Sequence, residues 1–195
     1  MGGAASCVEL NLPFSFLVVV NQRNYHEMES LANLVSRLEP HAADVPPRDG
    51  FEVVTISKLE GAEARLYRLW LEAGAYPPGG EPSFEEWRRV ILDSPLLEPR
   101  GSFTVLAGRR PVSLAWLLVD WDRNQAEHEW TATAPDFRGQ GLARFAKLHA
   151  IRWAAENGIR EILTDNEEDN VAMLELNRSL GYQPLWRRRS FRRAT

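Results

Sequence analysis

Apolar and polar positions along the chain switch repeatedly between strand-like and helix-like patterns. Residues 14–20 form a strand-like apolar run, and a helix is predicted over 28–38 after a polar stretch. Prolines, a glycine and few apolar residues mark 39–50 as a linker, so a boundary is placed there, with 1–47 as an N-terminal extension and 48–195 as the main domain. Residues 51–56 alternate loosely and predict a strand. Leu66, Leu69, Trp70 and Ala73 recur at helical spacing within 62–73. Three prolines and three glycines make 74–82 a loop. Ser83-Phe84-Glu85-Glu86 is a capping box that starts a helix running to about residue 92, ended by Pro95 and Pro99.

The second half is more regular. Residues 102–107, 112–121 and 127–134 predict three strands, joined by short turns at 108–110 and 122–125, hence an antiparallel meander. A helix is predicted over 139–157 with Gly158 as its stop, then a strand over 160–164. A helix over 170–180 stops at Gly181, and 183–191 is extended. A strand–helix–strand unit behind a meander predicts an α/β (α+β) fold, with a mixed, mostly antiparallel central sheet flanked by helices.

Composition narrows the class. The chain has 195 residues, 44% of them hydrophobic and 26% charged, enough for one packed domain. A net charge of −4 argues against a general nucleic-acid binder. Five arginines fall within 187–193, leaving 18 basic against 27 acidic residues elsewhere, which reads as a solvated terminal strand. Cys7 is the only cysteine, so no intramolecular disulfide forms, and a reducing, cytoplasmic setting is expected. No apolar run approaches the roughly 18 residues of a membrane span. No basic segment precedes residues 14–20, so neither a signal peptide nor a membrane partner is expected. Met1-Gly2-Gly3-Ala4-Ala5-Ser6 matches an N-myristoylation pattern, but the pattern is too short to be informative.

The candidate chemistry centres on residues 132–143, ATAPDFRGQGLA, read as a strand, a glycine-rich turn and the start of a helix. Backbone N–H groups at a helix start, together with the helix dipole, form an anion site, and Gly139 and Gly141 allow close backbone approach. Arg144 stands where a dinucleotide fingerprint needs glycine or alanine, and the Gly-Lys-Ser/Thr of a P-loop is absent.

The turn resembles the acyl-CoA pyrophosphate loop of the GNAT (Gcn5-related) N-acetyltransferase superfamily, whose Arg/Gln-x-x-Gly-x-Gly/Ala signature is met by Arg138, Gly141 and Ala143. A second family pattern is an asparagine followed at three, seven, eleven and twelve positions. It is met in spacing by Asn170, Met173, Asn177, Gly181 and Tyr182. The resemblance covers about residues 51–190. It implies the acyl-CoA N-acyltransferase fold and acetyl-CoA as co-substrate. It also implies direct transfer to an amine, on a small molecule or a peptide, within a ternary complex.

Carried over residue by residue, the resemblance assigns Gly139, Gln140, Gly141, Leu142 and Ala143 to the diphosphate, with Arg138 adding a charge-assisted bond. Thr131, Ala132 and Thr133 would offer backbone groups to the pantetheine arm. Asn170 would reach the same arm, or else serve only to start its helix. Glu127 and Glu129 match the location of the family's base, Glu127 better, and the alternative is two solvent-facing charges. Alternation puts both on one face, and a β-bulge would change that facing. His128 points the other way and is read as a packing histidine, with a role as the base the alternative. Asn177 stands where the family usually has a general-acid tyrosine; it can hydrogen-bond to the leaving thiolate but cannot protonate it. Tyr182 takes a position that is normally structural.

Trp70, Tyr76, Phe84 and Trp87 would line the acceptor cleft, or else simply pack the core. No metal is called for. Within 1–47, NYHEMESLANL resembles the closing strand and tail of an upstream GNAT-like module. The alternative is an extension that packs on the domain or on a second copy in a homodimer. The departure at Asn177 keeps a second function open, a non-catalytic acyl-CoA-binding or interaction module.

Overall fold

A computed structural model describes residues 25–37, 45–74 and 80–193. Cys7, the apolar run 14–20 and Tyr76 lie outside the described residues. One seven-stranded sheet has the order β2-β3-β4-β5-β6-β1-β7. Its strands are β1 (Tyr25–Arg37), β2 (Glu52–Thr55), β3 (Phe103–Ala107), β4 (Arg110–Asp120), β5 (Gln125–Thr133), β6 (Glu161–Glu167) and β7 (Gln183–Arg193). The helices are α1 (Glu63–Glu72), α2 (Phe84–Trp87), α3 (Leu142–Glu156) and α4 (Val171–Ser179). The expected mixed, mostly antiparallel sheet is present. β2 through β5 form an antiparallel run, and β5 with β6 is a parallel pair.

β4 is an inner strand, between β3 and β5, and its two faces divide the core. Leu114 and Trp116 face α1 and α2, in a cluster with Leu66, Leu69, Trp70, Trp87 and Ile91. Ala115 packs with Leu142, Phe145 and Ala146 of α3. Leu117 and Val119 continue that second face with Ala150 and Ala154. The period-two alternation of β4 thus decides which helices each side chain meets.

The capping box forms as read: Ser83 Oγ accepts from Glu86 N at 3.2 Å, and Ser83 N donates to Glu86 Oε2 at 2.9 Å. The helix it starts continues beyond Trp87 as a π-helical turn over Arg88–Leu92.

The helix expected over 28–38 is instead strand β1. β1 pairs antiparallel with β6 on one side, Leu31↔Glu167 to Arg37↔Glu161. On the other side it pairs antiparallel with β7, from Tyr25↔Arg193 to Val35↔Gln183. Two flanking strands satisfy both edges of its backbone, and that gain overrides a helical side-chain pattern. The sheet therefore crosses the boundary placed near residue 47.

Candidate active site

Three features of β5 and its sequel build the site. The first is the loop. After β5, a 3₁₀ turn at Pro135–Phe137 leads to Gly139 and Gly141, with φ of 75° and 71°. Residues with a Cβ avoid that left-handed region, which is why glycine stands at both positions. Gly141 is the N-cap of α3, no side chain caps this helix, and its first turn holds no acidic residue. The leading N–H groups of α3, from Leu142 and Ala143 onward, thus lack helical acceptors.

Two arginines frame this loop. Arg138 does not stand free at its mouth. It donates from Nε to the Thr133 carbonyl at 3.3 Å and from Nη2 to the Ala73 carbonyl at 3.1 Å, tying the loop to β5 and to the end of α1. Arg48, from the linker, donates through Nη1 to the Gln140 carbonyl. Its guanidinium lies 5.9 Å from the centre of the Phe145 ring and borders the space over Gly141. Nothing in the loop motif pointed to Arg48. Its sequence position, in a segment read as linker, concealed it.

The second feature is a splay. β5 pairs with β6 only from Gln125↔Glu161 to Glu127↔Leu163, although both strands continue. Thr131, Ala132 and Thr133 pair with Ala115, Leu114 and Ser113 of β4, while their other edge has left β6. At the vertex, Thr164 Oγ1 donates to the His128 carbonyl at 3.1 Å.

The third feature is a β-bulge. Trp116 pairs with Trp130 and Leu117 with His128, so Glu129 is the extra residue on β5. Glu127 and Glu129 still come together: their carboxylate oxygens and that of Asp165 on β6 all lie within 4.8 Å of one another. The sequence reading missed Asp165 because the predicted strand ended at 164, whereas β6 runs to Glu167.

On the opposite face lies a buried polar set. His128 Nδ1 and the Tyr182 hydroxyl are 2.6 Å apart. Tyr182 N donates to the Asn177 carbonyl at 3.1 Å, and Asn177 Nδ2 to Asn166 Oδ1 at 2.6 Å. Lys147 of α3 is 0% exposed, with Nζ 5.2 Å from the centre of the Tyr182 ring. His128 Nε2, Lys147 Nζ and Asn177 Oδ1 are buried without a hydrogen-bond partner.

Burial pushes the Lys147 ammonium down to about 7. Burial and the neighbouring Lys147 hold His128 well below its ordinary value, and burial pushes the Tyr182 phenol well above its own. Lys147 was legible in principle: it shares a helical stripe with Ala143, Ala146, Ala150 and Ala154.

The remaining expected residues fall in several places. Asn170 is the N-cap of α4, its Oδ1 accepting from Met173 N at 3.3 Å. Trp70 and Trp87 are 3% and 1% exposed and belong to the core. Tyr67, Trp70 and Trp116 meet the Trp87 ring at a tilt and Phe84 stacks on it, and large rings bury much area in such a cluster. Phe84 is half-buried.

The sequence model described as "Acetyltransferase (GNAT) family" matches residues 63–182. The chain belongs to the GNAT family. The match runs from α1 to Tyr182, so it includes the loop, the splay and both faces of the vertex, and leaves β1 outside.

Solved structures agree on the GNAT fold. A GCN5-related N-acetyltransferase from Sphaerobacter thermophilus is similar at 17% identity and TM-score 0.73, over 88% of this chain and 54% of its own. A tandem GNAT protein from the clavulanic acid biosynthesis pathway is similar at 17% identity and TM-score 0.66, over 86% and 54%. AAC(6')-Iy, solved in complex with a CoA-containing bisubstrate analog, is similar at 18% identity and TM-score 0.57, over 74% and 99%. The chain thus spans about half the length of the first two. No match was found among curated proteins.

No helix among the described residues is long and apolar enough to cross a membrane.

Proposed function

We propose that this GNAT protein moves the acetyl group of acetyl-CoA directly to an amine, on a small molecule or a peptide, within a ternary complex. The observation that carries this reading is the opening of β5 from β6 after Glu127, between an uncapped helix start and three gathered carboxylates. The amides of 139–143 receive the diphosphate, with Arg48 and Arg138 supplying positive charge beside it. The freed edge of Thr131, Ala132 and Thr133 pairs with the pantetheine amides as an added strand would.

An amine of ordinary pKa near 10.4 is protonated at neutral pH and must lose a proton to attack. Glu127 or Glu129 takes that proton through water, with the Asp165 carboxylate beside them. Phe84 borders the acceptor. Asn170 caps α4 and orients the helix beside the pantetheine arm. β1 takes the part of a closing strand left from an upstream GNAT-like module.

The test is calorimetry with acetyl-CoA, followed by thiol release over an amine panel. A Glu127→Gln, Glu129→Gln variant is expected to keep CoA affinity and lose turnover. Absence of acetyl-CoA binding by the parent protein refutes the reading. CoA binding without turnover on any amine favours a non-catalytic acyl-CoA-binding module instead, for which the replacement of the family's tyrosine by Asn177 is the motive.

A further inference from the structure

We propose that Lys147 Nζ is the proton donor to the thiolate that leaves acetyl-CoA, acting on the face of the sheet opposite the carboxylates. The inference rests on the acetyltransferase reading and supplies the acid that reading lacks.

The family's tyrosine position holds Asn177, whose amide is not an acid at neutral pH and whose Nδ2 is already given to Asn166. Tyr182 is a poor substitute. Its hydroxyl is engaged with His128, and burial makes it hold its proton more firmly. His128 is kept neutral by burial and by Lys147. Lys147 remains. It is fully buried, its Nζ has no hydrogen-bond partner, and it lies over the ring whose hydroxyl meets His128. His128 follows directly on Glu127, the last β5 residue paired with β6, and Tyr182 joins it to Lys147: its hydroxyl meets His128 and its ring lies 5.2 Å from Nζ.

A pantetheine arm running from the loop back along Thr133 to Thr131 carries its sulfur to that vertex. Lys147 Nζ and His128 Nε2, on two residues that both meet Tyr182, are buried without a partner, which is costly unless a polar ligand group completes them.

The two faces then divide the reaction. The amine nitrogen adds to the thioester carbonyl and gives its proton, through water, to the carboxylate face. As the C–S bond breaks and C=O re-forms, the electron pair goes to sulfur. An Nζ–H bond breaks and its proton passes to that sulfur, leaving CoA as the thiol and Lys147 neutral. Lys147 recovers a proton from solvent after product release. An acid with a pKa of about 7 can protonate a thiolate whose conjugate acid lies near 8.5. Among the described residues the titratable groups facing Nζ are His128 from β5 and Tyr182 ahead of β7. The rest of the set, Thr164 and Asn166 on β6 and Asn177 on α4, is uncharged.

The test follows the thiolate ultraviolet absorbance of CoA bound to the protein across a pH series, with desulfo-CoA as blank. Bound to the parent protein, the CoA thiol is expected to ionise at least one pH unit below free CoA, roughly a tenfold change in ionisation constant. In Lys147→Met that displacement is expected to vanish while desulfo-CoA affinity is retained. An undisplaced thiol in the parent protein overturns the proposal even if the variant fails to fold. A displacement that survives in Lys147→Met overturns it as well. Failure of CoA to bind overturns the acetyltransferase reading itself, and this inference with it.

Discussion

His128 Nδ1 and the Tyr182 hydroxyl, 54 residues apart in the chain, meet at 2.6 Å inside the sheet's second face. The bond joins β5 at its point of departure from β6 to the residue that enters β7. Tyr182→Phe keeps the ring and leaves a buried imidazole nitrogen unpaired. We expect a loss of about 1–3 kcal/mol, the usual penalty for a buried polar atom stripped of its partner. Urea denaturation of the two proteins measures it, and a difference below about 0.5 kcal/mol would show that water replaces the hydroxyl.

Lys147 makes stability depend on pH in a defined direction. Above its ordinary value of 10.5 the amine is neutral whether folded or not, and burial carries no charge penalty. Between about 7 and 10.5 the unfolded chain holds a proton that the folded chain releases, so stability falls as pH falls. Below about 7 both states hold it and the penalty is complete. The full penalty is on the order of 5 kcal/mol at about 1.4 kcal/mol per pH unit. Lys147→Met removes that slope. Urea midpoints for both proteins from pH 6 to 10 should diverge toward acid, with the variant the more stable, and parallel curves would refute the assignment.

Gly139 and Gly141 share a left-handed backbone but not the same surroundings. A Cβ on Gly139 meets nothing within 4 Å, whereas one on Gly141 meets the Arg48 guanidinium at 3.3 Å. Each alanine substitution carries the backbone cost of about 1–2 kcal/mol. Gly141→Ala also displaces Arg48 and encroaches on the helix start. Calorimetric CoA affinity should therefore fall further in Gly141→Ala than in Gly139→Ala, and equal losses would remove Arg48 from the site.

Asn170 is tested as a cap. Its Oδ1 satisfies Met173 N at the start of α4, so Asn170→Ala should cost about 1 kcal/mol, and Asn170→Asp should restore most of it. If pantetheine contact were its main role, the alanine variant would lose CoA affinity at unchanged stability. Thermal unfolding with and without CoA separates the two.

Much of this protein follows from local pattern alone. The capping box at Ser83, the glycines at 139 and 141, the meander and the two C-terminal helices are each decided within a few residues. Their causes, positive φ, N-cap chemistry and turn length, are short-range. The loop was legible for the same reason.

What tertiary structure alone decided involves partners distant in sequence. β1 carries a pattern read as helical and becomes a strand because β6 and β7 offer it two backbone edges. Trp70 and Trp87 were candidates for a cleft, and the tertiary packing puts both in the core cluster, Trp70 against Trp87 and Trp87 against Trp116. Arg48 reaches the loop across 92 residues. Asp165 joins Glu127 and Glu129 because β6 lies parallel beside β5 and runs on past Leu163, its last paired residue. Lys147 lies on an apolar stripe in plain view, but what surrounds it is set by β5 and by the turn into β7. Which groups share a buried site is a property of long-range packing, and no periodicity encodes it.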